Sequence, residues 1–171
     1  MMIRKGNKAD LPAIMKMVGD TVQIMKEEQN DQWDEKYPTM SIIEHDVQNG
    51  SLYVYEENEQ VVGSITVDTN LPNEYLDIPW SQEIPSYTFH RLVISAAVRE
   101  KGIASSLISH AEKVAMQHNT PYMKIDTYSL NKKAQALFEK NGYVKAGEMT
   151  FHGKENPFNC YEKILSDKVN N

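Results

Sequence analysis

A single cysteine, Cys160, stands in a chain of 171 residues. No internal disulfide can form, and no zinc site of the multi-cysteine kind can be assembled. Long apolar runs are also missing. No stretch approaches the roughly 18 residues that suggest a membrane span. The opening Met1-Met2-Ile3-Arg4-Lys5-Gly6 has no apolar run after its charges, so it does not read as a secretory leader. Nor is there an excess of positive charge: 18 Lys and Arg stand against 24 Asp and Glu, for a formal net charge of -6 at pH 7. That balance argues against a broad surface tracking nucleic-acid phosphates, and it suits small or basic partners. Neither Gly-x-Gly-x-x-Gly nor Gly-x-x-x-x-Gly-Lys-Ser/Thr occurs, so the dinucleotide and P-loop motifs are excluded. No His/Cys/Asp/Glu group has metal-ligand spacing, and no metal is expected. There is no repeat or low-complexity tract. These absences predict one globular domain over residues 1–166 in a reducing cytoplasm, with a frayed tail over 167–171 and no membrane or nucleic-acid partner.

What is present reads as alternating strands and helices. Met2–Arg4 is a short strand. Leu11, Ile14, Met15, Val18, Val22 and Met25 recur at helical spacing, with Asp10 as N-cap, Pro12 in the first turn and Gly19 weakening the middle. A polar loop with Trp33 and Tyr37 leads to a helix over 39–48, stopped at Asn49-Gly50. Residues 51–56 and 60–68 are strands about a hairpin turn. Residues 70–85 carry Pro72, Pro79 and Pro85 with Tyr75 and Trp80, a long loop of the kind that is often functional. Residues 86–95 form a strand, 102–118 a helix, 121–127 a strand and 131–140 a helix ended by Asn141-Gly142. Strands over 143–151 and 158–165 finish the chain. The order β-α-α-β-β-β-α-β-α-β-β predicts an α/β fold with a mixed sheet.

The most informative stretch is Leu92-Val93-Ile94-Ser95-Ala96-Ala97-Val98-Arg99-Glu100-Lys101-Gly102-Ile103-Ala104. A strand runs through a short loop into a helix that opens Gly-x-Ala. Helix starts expose unpaired N–H groups and a positive dipole, which attract phosphate. Gly102 lets a ligand approach the backbone, Ala104 is nearly as small, and Arg99 and Lys101 add charge. The same pattern also serves close packing, so alone it leaves both readings open.

Arg99-Glu100-Lys101-Gly102-Ile103-Ala104 resembles the Arg/Gln-x-x-Gly-x-Gly/Ala signature of the GCN5-related N-acetyltransferase (GNAT) superfamily. Asn131-Lys132-Lys133-Ala134-Gln135-Ala136-Leu137-Phe138-Glu139-Lys140-Asn141-Gly142-Tyr143 resembles its Asn-x-x-Ala-x-x-Leu-Tyr-x-Lys-x-Gly-Phe segment. The resemblance covers nearly the whole chain, most weakly in 70–85. It implies a mixed, mostly antiparallel central sheet with a splayed strand pair, flanked by helices. It implies an acyltransferase that moves acetyl from acetyl-coenzyme A to an amine. Backbone amides of Arg99, Glu100, Lys101, Gly102, Ile103, Ala104 and Ser105 would cradle the coenzyme pyrophosphate. The Leu92, Val93, Ile94 edge would pair with the pantetheine arm, and Asn131 would contact the coenzyme. As a helix-start residue, Asn131 also has a purely structural role open to it. A homodimer through the C-terminal strands is a further family trait.

An alkyl amine is mostly protonated at neutral pH, with a reference pKa of about 10.4 for lysine. The site must therefore remove a proton and must hold the thioester oxygen with a donor. The family uses a strand amide for the latter, here Val93 or Ile94. His90, two residues before Leu92 on the same strand, is the candidate base; a structural histidine is the other reading. The family's acid, the tyrosine of Leu-Tyr-x-Lys, is replaced by Phe138. Tyr128, Tyr143 or solvent takes that role, and Phe138 packs on the coenzyme. Asp126 is placed to orient a cationic amine, with Glu27, Glu28 and Glu74 as weaker acids. His110 and His118 read as surface residues, and His45 and His152 have no motif support. Trp33, Tyr75 and Trp80 would wall a closed pocket for a small molecule, whereas an open groove would suit protein N-termini or lysines. A non-catalytic module that senses acetyl-coenzyme A is the reading from another class, and Phe138 lends it weight.

Overall fold

Seven strands and four helices of the computed structural model fall within residues 2–98 and 102–166, the residues it describes. The expected tail at 167–171 and the positions of Arg99, Glu100 and Lys101 lie outside them. The elements are β1 (Met2–Lys5), α1 (Leu11–Glu27), α2 (Met40–Gln48), β2 (Leu52–Glu57), β3 (Gln60–Asp68), β4 (Thr88–Ile94), α3 (Ile103–Gln117), β5 (Tyr122–Tyr128), α4 (Lys132–Lys140), β6 (Val144–Met149) and β7 (Phe158–Ile164). Their order is the one read from hydrophobic periodicity, because each element carries its own period of apolar residues.

The chain divides into two compact units. One comprises Met1–Val67 and Phe89–His110, the other Asp68–Thr88 and Ala111–Asn171. The first holds a sheet in the order β1-β2-β3-β4. β1 runs antiparallel to β2, and β2 to β3, with a bulge between Tyr55 and Glu56. Its core gathers Leu11, Ile14, Val18, Val22, Trp33, Ile43, Leu52, Val54 and Val93. α1 is unbroken although Gly19 interrupts its propensity, because its buried stripe (Leu11, Ile14, Met17, Val18, Thr21, Val22 and Met25) supplies the stability. Gly19 lies exposed with open space around it.

The start of α1 differs from expectation. Asp10 makes no side-chain cap bond to the helix. Instead Asn7 caps the preceding turn, accepting from the Ala9 N–H at 2.9 Å. Asp10 closes a capping box by accepting from the Asn7 N–H at 2.8 Å. Its carboxylate is buried and takes two bonds from the Arg4 guanidinium, at 2.9 and 3.0 Å. A buried acid so paired is worth more to Arg4 than to the helix end.

The second unit holds a sheet in the order β5-β7-β6, antiparallel throughout. Its cluster is Tyr75, Ile78, Tyr128, Met149, Phe158 and Cys160. The segment just ahead of β4 joins this unit. Tyr87 bridges Met123 in parallel, donating to Tyr122 O at 2.9 Å and accepting from the Lys124 N–H at 3.0 Å. β4 itself closes the first sheet, so β4 and β5 belong to different sheets. The result is the mixed, mostly antiparallel α/β architecture the sequence suggests.

Candidate functional site

In the first unit, β4 leads through a turn at Ala96–Val98 to α3. Strand alternation would put His90 and Leu92 on one face, but alternation requires extended backbone between them. Arg91 instead adopts φ 52°, a left-handed conformation that bends a strand and re-aims its neighbours. The shared face of His90 and Leu92 is therefore not carried by the pleat. His90, Leu92 and Ile94 are half-buried, and Val93 is buried. The Arg91 guanidinium takes Asp46 of α2 in both hands, a pair that nothing in the sequence patterning marks. Its partner lies 45 residues away.

Of the expected phosphate cradle, Arg99, Glu100 and Lys101 are outside the described residues. Gly102 has φ 74°, and a Cβ there would meet no atom within 4 Å. Glycine is thus needed for its backbone conformation, and the face it presents is open. Within α3 the Ser106 N–H donates to Gly102 O at 3.1 Å. The amides of Ile103 and Ala104 lie in the first turn of α3, where a helix exposes N–H groups without an internal acceptor. Ile103 is buried; Ala104 and Ser105 are half-buried. A second glycine sets where this helix sits. A Cβ on Gly63 of β3 would lie 3.0 Å from Ile94 Cδ1, 3.1 Å from Leu107 Cδ1 and 3.2 Å from Ile103 Cγ2. A glycine inside a strand is a signal of close approach, and here the approaching element is the first turns of α3.

In the second unit Tyr128 ends β5 fully buried, its ring 4.9 Å from that of Phe158. Its hydroxyl accepts from Asn156 Nδ2 at 3.3 Å. Asn131 caps α4, its Oδ1 accepting from the Ala134 N–H at 3.1 Å. Phe138 is buried with its ring 5.8 Å from Tyr161 and 6.3 Å from Tyr143. It is thus a core residue of α4. Tyr143 donates to Glu112 at 2.9 Å. Burial, and then that carboxylate, push its phenol far above the usual tyrosine range, so it stays protonated and a weak acid at neutral pH. Tyr75 donates to Asp126 Oδ2 at 2.6 Å and is pushed up likewise, first by burial and then by Asp126. Trp80 lies 5.1 Å from the Tyr75 ring and donates to Tyr75 O at 2.8 Å. The 70–85 loop thus brings Tyr75 to a β5 carboxylate, while the Trp80 ring packs on Tyr75 and lies under Lys124 Nζ at 4.9 Å. Trp33, by contrast, packs in the core of the first unit.

The remaining histidines divide. His110, read as a surface residue, is half-buried with its ring 4.6 Å from Tyr53. His118 contacts Val114 O through Nδ1 at 2.9 Å. His45 and His152 are exposed. Among the described residues no group of three or more His, Cys, Asp or Glu could hold a metal, and no helix is long and apolar enough to cross a membrane.

The profile of the acetyltransferase (GNAT) family matches residues 19–143, well over half of the chain. No curated protein matches. Among solved structures the chain is similar to a GNAT-family acetyltransferase of Streptococcus agalactiae, with 24% identity and a TM-score of 0.85 over 97% of this chain and 96% of that one. It is similar to a Staphylococcus aureus protein assigned as an acetyltransferase, with 32% identity and a TM-score of 0.76 over 97% of this chain and 100% of that one. A Salmonella typhimurium protein, also assigned as an acetyltransferase and solved with its cofactor acetyl-CoA, shares the fold at 17% identity and a TM-score of 0.71, over 98% of this chain and 95% of that one.

Proposed function

Since the chain belongs to the acetyltransferase (GNAT) family and is an acyltransferase drawing on acetyl-coenzyme A, we propose that its acceptor is a primary amine on a small molecule. A single N-acetyltransferase domain over residues 1–166 is part of this reading. The observation that carries it is the pairing of Asp126 with Tyr75 beside Trp80. A half-buried carboxylate oriented by a phenol suits an ammonium group.

The residues present fit the coenzyme. Gly102 presents an open face at the start of α3, and the Ile103 and Ala104 amides stand where an anion is favoured. Backbone amides over Arg99–Ser105 would hold the pyrophosphate, and the Leu92–Ile94 edge the pantetheine arm. Asn131 is committed to capping α4 through its oxygen, so its contact with the coenzyme would run through its amide nitrogen. When bound, the coenzyme supplies an acetyl group activated as a thioester. The N–H of Val93 or Ile94 holds the thioester oxygen as charge gathers there. His90 takes the amine proton, directly or through water. Protonation of the departing thiolate falls to Tyr128, to Tyr143 or to solvent.

A reducing, cytoplasmic setting fits a chain whose one cysteine is buried as a thiol. Exposed Val144 and Ile164 on β6 and β7 support the C-terminal strands as the interface of a homodimer. The test is release of coenzyme A thiol from acetyl-coenzyme A across small amines, polyamines, amino acids and peptides, for the wild type and His90→Ala. Turnover on small amines that drops in the variant supports the proposal. Turnover on peptides alone would assign a protein acceptor, and binding without turnover on any amine would assign a sensor.

A further inference from the structure

A charged network inside the first unit is unaccounted for by acetyl-group or coenzyme binding. Arg91 donates from Nε to Asp46 Oδ2 and from Nη2 to Asp46 Oδ1, both at 2.7 Å. Its Nη1 donates to the Tyr37 hydroxyl at 3.1 Å. Thr66 Oγ1 donates to Asp46 Oδ2 at 2.8 Å. The two charged side chains are 12% and 6% exposed. Four separate segments thus meet: the loop before α2, α2 itself, β3 and β4.

Two features of this network exceed what stability asks. A buried ion pair is often no more stabilising than apolar side chains of the same volume, so its retention points to orientation. The bidentate form fixes the guanidinium plane as well as its charge. Arg91 also holds φ 52° inside a strand. Residues other than glycine take that conformation at a cost and keep it only where the surroundings over-determine it. The four hydrogen bonds of the network do so here. A glycine would adopt the bend freely but could not lock it.

We propose that Arg91 and Asp46 are positioning residues for acetyl transfer. Their bidentate pair locks the left-handed bend of β4 and so aims the main chain of Leu92, Val93 and Ile94. This rests on the reading above that this strand segment receives the pantetheine arm and the thioester. Neither residue touches the reacting atoms; both act through the backbone that follows Arg91. Loosening the lock is expected to weaken what the strand holds and to spare what the start of α3 holds.

The test compares two probes by calorimetry: acetyl-coenzyme A, and adenosine 3′-phosphate 5′-diphosphate, which lacks the arm. Asp46→Asn keeps the shape and removes the charge; Arg91→Lys keeps the charge and removes the fork. Each is expected to bind acetyl-coenzyme A about 10-fold more weakly and the arm-less nucleotide within about 2-fold of wild type. Thr66→Val removes one bond and neither charge, and covers the case in which a charge variant fails to fold. It is expected to show the same split at about 3-fold. Amide resonances of Leu92 and Val93 should shift in each folded variant while those of Leu107 and Ile108 stay. Equal loss for both probes, or no loss for either, overturns the lock. Failure of the wild type to bind the arm-less nucleotide would instead count against the coenzyme assignment itself.

Discussion

Gly102 concentrates the coenzyme argument in one residue. Its φ of 74° is a region that costs other L-residues roughly 1–2 kcal/mol, and no neighbouring atom stands in the way of a Cβ. Gly102→Ala is therefore strained by conformation and not by collision. Because the strain falls on the amides at the start of α3, coenzyme A affinity should drop about 10-fold, read by calorimetry, while the melting temperature changes little. Unchanged affinity in a folded variant would remove the phosphate assignment. Cys160 behaves in the opposite way. Burial, then the nearby Asp126 charge, push its thiol up to about 12, so the thiolate is scarce at neutral pH. Alkylation by iodoacetamide should be negligible in the folded protein at pH 7–8 and complete in denaturant.

Among the elements, the capped start of α1 carries a pH signature. The Arg4 guanidinium beside Asp10, helped by the Asn7 N–H and opposed by burial, holds that carboxyl below the usual carboxylate range. Its unfolded value is about 3.9. The native state therefore binds fewer protons than the unfolded chain on the acid side, and stability falls as pH drops through the folded value. Asp10→Asn should cost about 1–3 kcal/mol at pH 7 and progressively less below about pH 4, in urea melts of variant and wild type. An equal gap at pH 7 and pH 3 would show that the charge is not what matters. Most element boundaries were legible because periodicity, caps and turn residues are local signals. One misreading was a competition between two nearby partners. Asp10 looks like a cap, but Arg4 claims it.

For the whole molecule, binding is expected to appear as stability. A ligand that binds only the native state at 100 times its dissociation constant adds about 2.7 kcal/mol. For a chain of this length that raises the melting temperature by about 5–10 °C. Coenzyme A should produce this shift in thermal-shift or calorimetric scans. An absent shift at millimolar coenzyme would contradict the cradle at α3.

The order of strands and helices, the small-residue start of α3 and the paired motifs ending at Tyr143 were all determined by the sequence alone. Each depends on residues within a turn or two of one another, where spacing along the chain is spacing in space. Tertiary structure alone decided which side chains meet. Arg91 with Asp46 spans 45 residues and Tyr75 with Asp126 spans 51. Gly63 makes room for Ile94, Ile103 and Leu107, and Tyr143 donates to Glu112. Such pairings follow from how separate elements pack, and packing depends on contacts that no local pattern encodes.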